Sequence, residues 1–194
     1  MIEYAIALLG SFLLGSIPFG WIIAKLKGID VKKKGSGNIG ATNVYRVVGK
    51  KEGALTLLLD LLKGTLAVTV FSLVYKNNAY IPYLSALGVV LGHDFSVFLK
   101  FKGGKGVATT YGATLIIYPL ASVSGMAIWI AILLLSKYSS LAAIVSFGIS
   151  TLVAISSNDY LVRILFIVLY GLMLIRHREN IARLFSRQES KINI

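Results

Sequence analysis

Apolar residues in this chain run in long, nearly unbroken stretches, and polar residues gather in short islands between them. The stretches fall at about 2–24, 54–75, 79–98, 106–119, 120–136, 140–156 and 160–175. A bilayer's hydrocarbon core takes about 20 residues of helix to cross, so each stretch predicts a transmembrane helix. The fourth, within "GVATTYGATLIIYPL", is short, polar at its start, and runs straight into Pro119. Hydropathy alone therefore leaves six or seven spans. The first stretch lacks a basic leader and continues well past the length of a signal peptide's apolar region, which predicts an uncleaved span. Pro18 predicts a kink in it. Gly88 and Gly92 form a G-x-x-x-G spacing that predicts close helix packing. Asp60 and Lys63, at i and i+3 inside the second stretch, predict a structural ion pair, with support for a functional site as the lesser reading.

Composition narrows this to one class. The chain is 56% hydrophobic, 14% charged, and has a mean hydropathy of +0.78. A soluble domain of this size cannot carry so little polar surface, and there is no room for a separate one. We expect one integral membrane domain over residues 1–194. The net charge of +12 does not indicate nucleic acid, because the basic residues lie between apolar runs. They read as topology determinants and contacts to anionic lipid. With seven spans, all 20 Lys and Arg except Lys63, Lys76 and Arg163 fall on one side of the membrane. That side is then cytoplasmic, and dropping the fourth span would put the basic C-terminus outside. The expectation is an all-α, polytopic bundle of seven transmembrane helices, N-terminus outside and C-terminus in the cytoplasm. No internal repeat of the kind seen in inverted-repeat transporters is visible. The chain has no cysteine and only His93 and His177, so no metal site and no cofactor are expected.

Three polar islands remain, all on the cytoplasmic side of this topology. In "KKKGSGNIGATNVYR", Gly35, Gly37 and Gly40 match G-x-G-x-x-G. A dinucleotide fold needs a buried strand before them, and Lys32, Lys33 and Lys34 stand there instead. Two readings stay open: a flexible loop, or a phosphate-binding loop. For the second, glycines expose backbone N–H groups, Ser36, Asn38, Thr42 and Asn43 add neutral hydrogen-bonding groups, and Arg46 adds a charged fork suited to phosphate. In "GHDFSVFLKFKGGKGVATT", Lys100 and Lys102 read as membrane-edge lysines. Lys105, set among Gly103, Gly104 and Gly106, is placed to hold a phosphate as a point charge ahead of the fourth helix. His93 and Asp94 read as a structural pair. In "RHRENIARLF", Ile181, Leu184 and Phe185 share a helical face, which predicts an interfacial amphipathic helix. His177 and Asn180 share another face near the membrane edge, while Arg176, Arg178 and Arg183 read as basic anchors.

Together the islands resemble the acyl-phosphate-dependent glycerol-3-phosphate acyltransferases of bacterial membranes. "GSGNIGATNVYRVVGKKEG" looks like that family's first motif, "GHDFSVFLKFKGGKGVAT" its second and "HRENIARL" its third, and "DLLKG" also matches. The chain departs from the pattern at Ser96, where proline is usual, and in "FSRQES", where a glycine is common. The resemblance implies transfer of an acyl group from fatty acyl phosphate to the 1-hydroxyl of sn-glycerol 3-phosphate at the cytoplasmic face of the bacterial inner membrane. It implies that Ser36 and Arg46 are essential, that Gly103, Gly104 and Gly106 serve acyl-phosphate binding, that His177 and Asn180 belong to the site, and that Glu179 is structural. We expect Gly37, Asn38, Gly40, Thr42 and Asn43 to join the acyl-phosphate cradle. Ser36, Arg46, Lys105, His177 and Asn180 are expected to hold glycerol 3-phosphate and carry the chemistry. Membrane lipid is the expected surrounding, with no nucleic acid and no obligate protein partner.

An acyl phosphate is a mixed anhydride with a good leaving group, so direct attack by the glycerol hydroxyl needs no acyl-enzyme. The base is either His177 or a phosphate oxygen of the substrate. The rival class is a transporter or channel for a phosphorylated solute, which needs a polar path to the outer face. The outer loops near Lys76–Tyr80, Tyr118–Pro119 and Ser156–Asp159 offer little for an anion.

Overall fold

A computed structural model describes residues 1–193, and among these all regular structure is helical. The chain forms two compact units, 1–116 and 117–194.

The first unit begins with α1 (Ile2–Ser16) and α2 (Phe19–Leu26), separated at the expected proline. Steric conflict with Pro18 pushes Ile17 into an extended conformation (φ −60°, ψ 116°), which ends α1. α3 (Ala41–Val47) lies in the first polar island, and α4 (Lys50–Val74) is the second apolar stretch, starting several residues before its apolar run. α5 (Ile81–Asp94) is followed by a 3₁₀ turn at Val97–Leu99, and α6 (Val107–Ile117) follows the second island. Glycines allow the tightest crossings. A Cβ on Gly88 or Gly92 would collide with the backbone carbonyl of Leu8 or Phe12, so α5 packs on α1 with backbones nearly touching. Gly64 and Gly112 allow the same between α4 and α6, where each faces a carbonyl of the other helix.

The second unit holds α7 (Pro119–Ser136), α8 (Ser139–Ile155), α9 (Tyr160–Arg176) and α10 (Arg178–Phe185). Lys137, in the left-handed region (φ 62°), makes the tight turn between α7 and α8. The Phe147 and Phe166 rings stack at 5.6 Å, joining α8 to α9. α10 leaves α9 at an angle of 62°.

The distribution of side chains is that of a membrane protein. On α4, Leu58 and Leu62 are 52% and 46% exposed, while Asp60 and Lys63 beside them are each 3% exposed. Ser11, Ser85, Ser146 and Ser150 are likewise buried, while Ile130, Leu134, Ile164 and Ile167 face outward. Among the described residues, four helical segments are long and apolar enough to cross a bilayer: Ile2–Leu26, Lys50–Val74, Ile81–Leu99 and Pro119–Ser136. Counting the bent pair Tyr160–Arg176 with Arg178–Phe185 makes five, and Val107–Ile117 and Ser139–Ile155 are shorter apolar helices. Val107–Ile117, the weak fourth stretch, has 11 residues. Its length of roughly 16 Å is about half a hydrocarbon core.

Candidate functional site

The Lys32–Arg46 island is shaped by one buried side chain. Asn43, 2% exposed, points its amide nitrogen at the carbonyls of Val31 (3.1 Å), Lys34 (3.1 Å) and Asn38 (2.8 Å). Its Oδ1 accepts the N–H of Ser36 at 2.9 Å. Those bonds gather four points of the loop around one residue. Asn38 turns the chain into α3 by accepting the N–H of Gly40 at 2.8 Å. Gly35 and Gly37 take positive φ (59° and 70°), a conformation that side chains disfavour. The sequence counts Asn38 and Asn43 as groups for a phosphate; in the fold their side-chain oxygens hold the loop. Ser36 is left exposed at its tip, and Thr42 and Arg46 are half-buried on α3.

The second island doubles back onto the end of α5. The N–H groups of Gly103 and Gly104 donate to the carbonyls of Asp94 (3.2 Å) and His93 (2.9 Å). Each glycine has its own reason. A Cβ on Gly103 would strike the His93 carbonyl, and one on Gly104 the His93 ring. Gly106 has φ 72° and faces the Asp94 carboxylate. Lys105 is half-buried among them. At Ser96 the backbone angle (φ −55°) is one that proline also adopts. The departure from the family pattern therefore leaves the turn intact, and the serine hydroxyl adds a hydrogen bond to the carbonyl of Ser16.

These two islands share an apolar floor. Val31, Ile39 and Val44 of the first pack with Leu99 of the second and with Ile23 and Ala24 of α2. Within the first unit the two loops are thereby packed on one apolar cluster.

Beneath the second loop lies a buried polar network. The Lys63 ammonium is 2.8 Å from Asp60 Oδ1, and it donates to the carbonyl of Ile17 at 2.8 Å, in the break between α1 and α2. His93 Nδ1 lies 3.5 Å from Asp60 Oδ1 and 3.3 Å from Thr109 Oγ1. The predicted Asp60–Lys63 pair is thus present, and it extends to α5 and α6. Sequence reasoning missed that extension. His93 stands 33 positions beyond Asp60, and no local periodicity links them; its one signal was a polar "GHD" closing an apolar run.

The second unit holds His177 and Asn180 at the junction of α9 and α10, both buried. His177 Nδ1 is 2.9 Å from the carbonyl of Met173. A carbonyl only accepts, so Nδ1 carries the hydrogen, and in the neutral ring Nε2 is the basic nitrogen. Asn180 donates to Glu189 Oε1 at 2.6 Å, and Ser140 donates to the same oxygen at 2.7 Å. Arg183 binds Glu189 Oε2 at 2.7 Å. Burial pushes the Glu189 carboxyl up, but the hydrogen bonds from Asn180, Arg183 and Ser140 outweigh it and hold the group below the usual 4.5. Glu189 escaped the sequence reading because it sits in an unremarkable polar tail. Glu179 of the third motif is exposed.

A family model described as glycerol-3-phosphate acyltransferase matches residues 5–187, nearly the whole chain. The chain belongs to the glycerol-3-phosphate acyltransferase family. Among relatives, it is 45% identical over 191 residues to glycerol-3-phosphate acyltransferase 2 of Thermotoga maritima, covering 96% of this chain and 95% of that protein. It is 43% identical over 183 residues to the glycerol-3-phosphate acyltransferase of Aquifex aeolicus, covering 93% and 95%. Its fold matches a crystal structure of PlsY (YgiH), an integral membrane glycerol 3-phosphate acyltransferase, in the glycerol 3-phosphate form. That match has a TM-score of 0.92 at 39% identity and covers 98% of this chain and 96% of the other. The lysophosphatidic acid form of PlsY matches with a TM-score of 0.90. Every site residue expected from the sequence lies within the stretch that the family model matches, and the all-helical, integral membrane character expected for the chain agrees with these relatives.

Proposed function

We propose that this membrane acyltransferase takes its acyl group from fatty acyl phosphate and passes it to the 1-hydroxyl of sn-glycerol 3-phosphate. The products are lysophosphatidic acid and inorganic phosphate, in the first acylation of bacterial phospholipid synthesis. The observation that carries this reading is the pair of glycine-basic loops seated on one apolar floor. Ser36 in the first loop is exposed, and Arg46 and Lys105 are half-buried; in this reading they face the two phosphates. Two phosphorylated substrates, one with an acyl tail, fit that combination. The PlsY structures in glycerol 3-phosphate and lysophosphatidic acid forms support the same reaction.

In this reading Arg46 and Ser36 clamp the phosphate of glycerol 3-phosphate, with Lys105, His177 and Asn180 completing its site. The backbone of Gly37, Gly40, Gly103, Gly104 and Gly106, with Asn38, Thr42 and Asn43, cradles the acyl phosphate. Asn38 and Asn43 act by holding the loop's shape. The hydroxyl oxygen attacks the acyl carbon, the anhydride C–O bond breaks, and the phosphate leaves with the electron pair. Lys105 stabilises the charge that develops on it, while the N–H groups of Gly37, Gly40, Gly103 and Gly104 are engaged in holding the loops' shape. The hydroxyl proton goes to His177 Nε2 or to a phosphate oxygen, and no acyl-enzyme forms. The chain works as one domain of seven spans in the bacterial inner membrane, with its N-terminus outside and its site on the cytoplasmic face.

The deciding experiment supplies purified protein with acyl phosphate and glycerol 3-phosphate and scores phosphate release. Acyl-CoA serves as the control donor. Release that requires both substrates, with no transfer from acyl-CoA, is the expected result; equal use of acyl-CoA overturns the donor assignment.

A further inference from the structure

The His93 ring occupies the space between the intramembrane ion pair and the Lys105 loop. Its Nδ1 edge faces Asp60 at 3.5 Å and Thr109 at 3.3 Å. Its Nε2 edge abuts Gly104, where a Cβ would overlap Nε2. The same residue's carbonyl accepts the Gly104 N–H at 2.9 Å. From Asp60 the contacts continue to Lys63 and on to the Ile17 carbonyl at the break in the first span. The ring is 4% exposed, and Asp60 and Lys63 are 3% each. Ionisable groups buried in a transmembrane helix are costly and survive where they pair or serve a site. An ion pair kept for packing alone would not require a histidine seated under a glycine of the phosphate loop.

We propose that His93 is a positioning residue for acyl transfer: anchored by Asp60 and Thr109, its ring is the floor that sets the height of Gly104 and so the aim of Lys105 and the neighbouring N–H groups. The proposal rests on the reading of this loop as an acyl-phosphate cradle. It gives Gly104 a specific meaning. Its φ lies outside the left-handed region that favours glycine, so alanine suits its backbone, and the obstacle is the imidazole. A smaller residue at position 93 should therefore suppress the defect of Gly104→Ala.

The test compares His93→Ala, Gly104→Ala and the double variant, each purified in detergent, with KM measured separately for both substrates. Displacement of a catalytic loop by about 1 Å can cost on the order of a hundredfold. Gly104→Ala is expected to raise the acyl-phosphate KM by about tenfold or more, and His93→Ala by about threefold to tenfold. The double variant should fall back to the His93→Ala value, with the glycerol 3-phosphate KM moving less than about twofold throughout. A double variant no better than Gly104→Ala overturns the proposal. Suppression that appears instead in the glycerol 3-phosphate KM upholds the positioning role and overturns the assignment of the loop to acyl phosphate. If His93→Ala does not accumulate, His93→Asn replaces it: the smaller side chain vacates the Nε2 position and keeps a donor toward Asp60, and the same suppression is expected.

Discussion

Arg46 lies in the last turn of α3, on a helix whose entry is fixed by the bonds that Asn38 and Asn43 make to the loop backbone. Its guanidinium is therefore carried by a braced loop, and a planar fork of donors matches phosphate where a shorter side chain cannot. Arg46→Ala should abolish most transfer and raise the apparent requirement for glycerol 3-phosphate; unchanged steady-state kinetics would remove Arg46 from the site. His177 presents a different case. The hydrogen bond from its Nδ1 to Met173 directs the basic lone pair to Nε2, as a general base requires. If it takes the hydroxyl proton, His177→Ala should lower the rate by about 10²–10⁴. A loss of only a few-fold would assign the proton to the substrate's phosphate. Residue types alone pointed to Ser36, Arg46 and Lys105. They could not separate Asn43, which braces the loop, from groups that face outward, because burial is a property of the fold.

At the scale of elements, α10 is held from outside its own sequence. Its last turn ends with Arg187 in the left-handed region (φ 60°), and the tail after it returns to α8. There Ser140, Asn180 and Arg183 all donate to Glu189, and the Ile192 N–H donates to the Lys137 carbonyl at 2.8 Å. Glycine is the easier residue at such a position, and Arg187 takes it here. Because the folded Glu189 carboxyl titrates below its usual 4.5, its contribution is fully present above that value and is lost as the pH falls through the lower folded value. The protection of α10 amides, taken relative to their intrinsic exchange rates at each pH, should therefore fall as pH is lowered from about 6 to about 3, and Glu189→Gln should flatten that dependence. An unchanged pH profile in the variant would show that Glu189 does not anchor the helix.

For the whole molecule, the open quantity is topology. Apolar run length left six or seven spans and charge placement chose seven; all seven stretches are helical, and among the described residues four segments are long enough to span by themselves and a fifth as a bent pair. The seven-span proposal places the C-terminus in the cytoplasm, on the basis of where Lys and Arg fall. A reporter fused after Ile194 should read as cytoplasmic, and an external signal would reverse the orientation. By itself the sequence determined the membrane class, the apolar helices, the break at Pro18 and the loops where glycines and cations gather, though not the short helix α3 within the first of them. Each of these follows from residues close together in the chain: run length against bilayer thickness, proline's missing N–H, or glycines beside cations. Only the tertiary structure decided that Lys63 caps the Pro18 break, that the His93 ring lies against Gly104, that Leu99 shares a floor with Val31 and Val44, and that Glu189 holds Asn180. The partners in those contacts come from different helices and loops, and a polar side chain in an apolar run does not reveal which distant partner satisfies it until the packing is known.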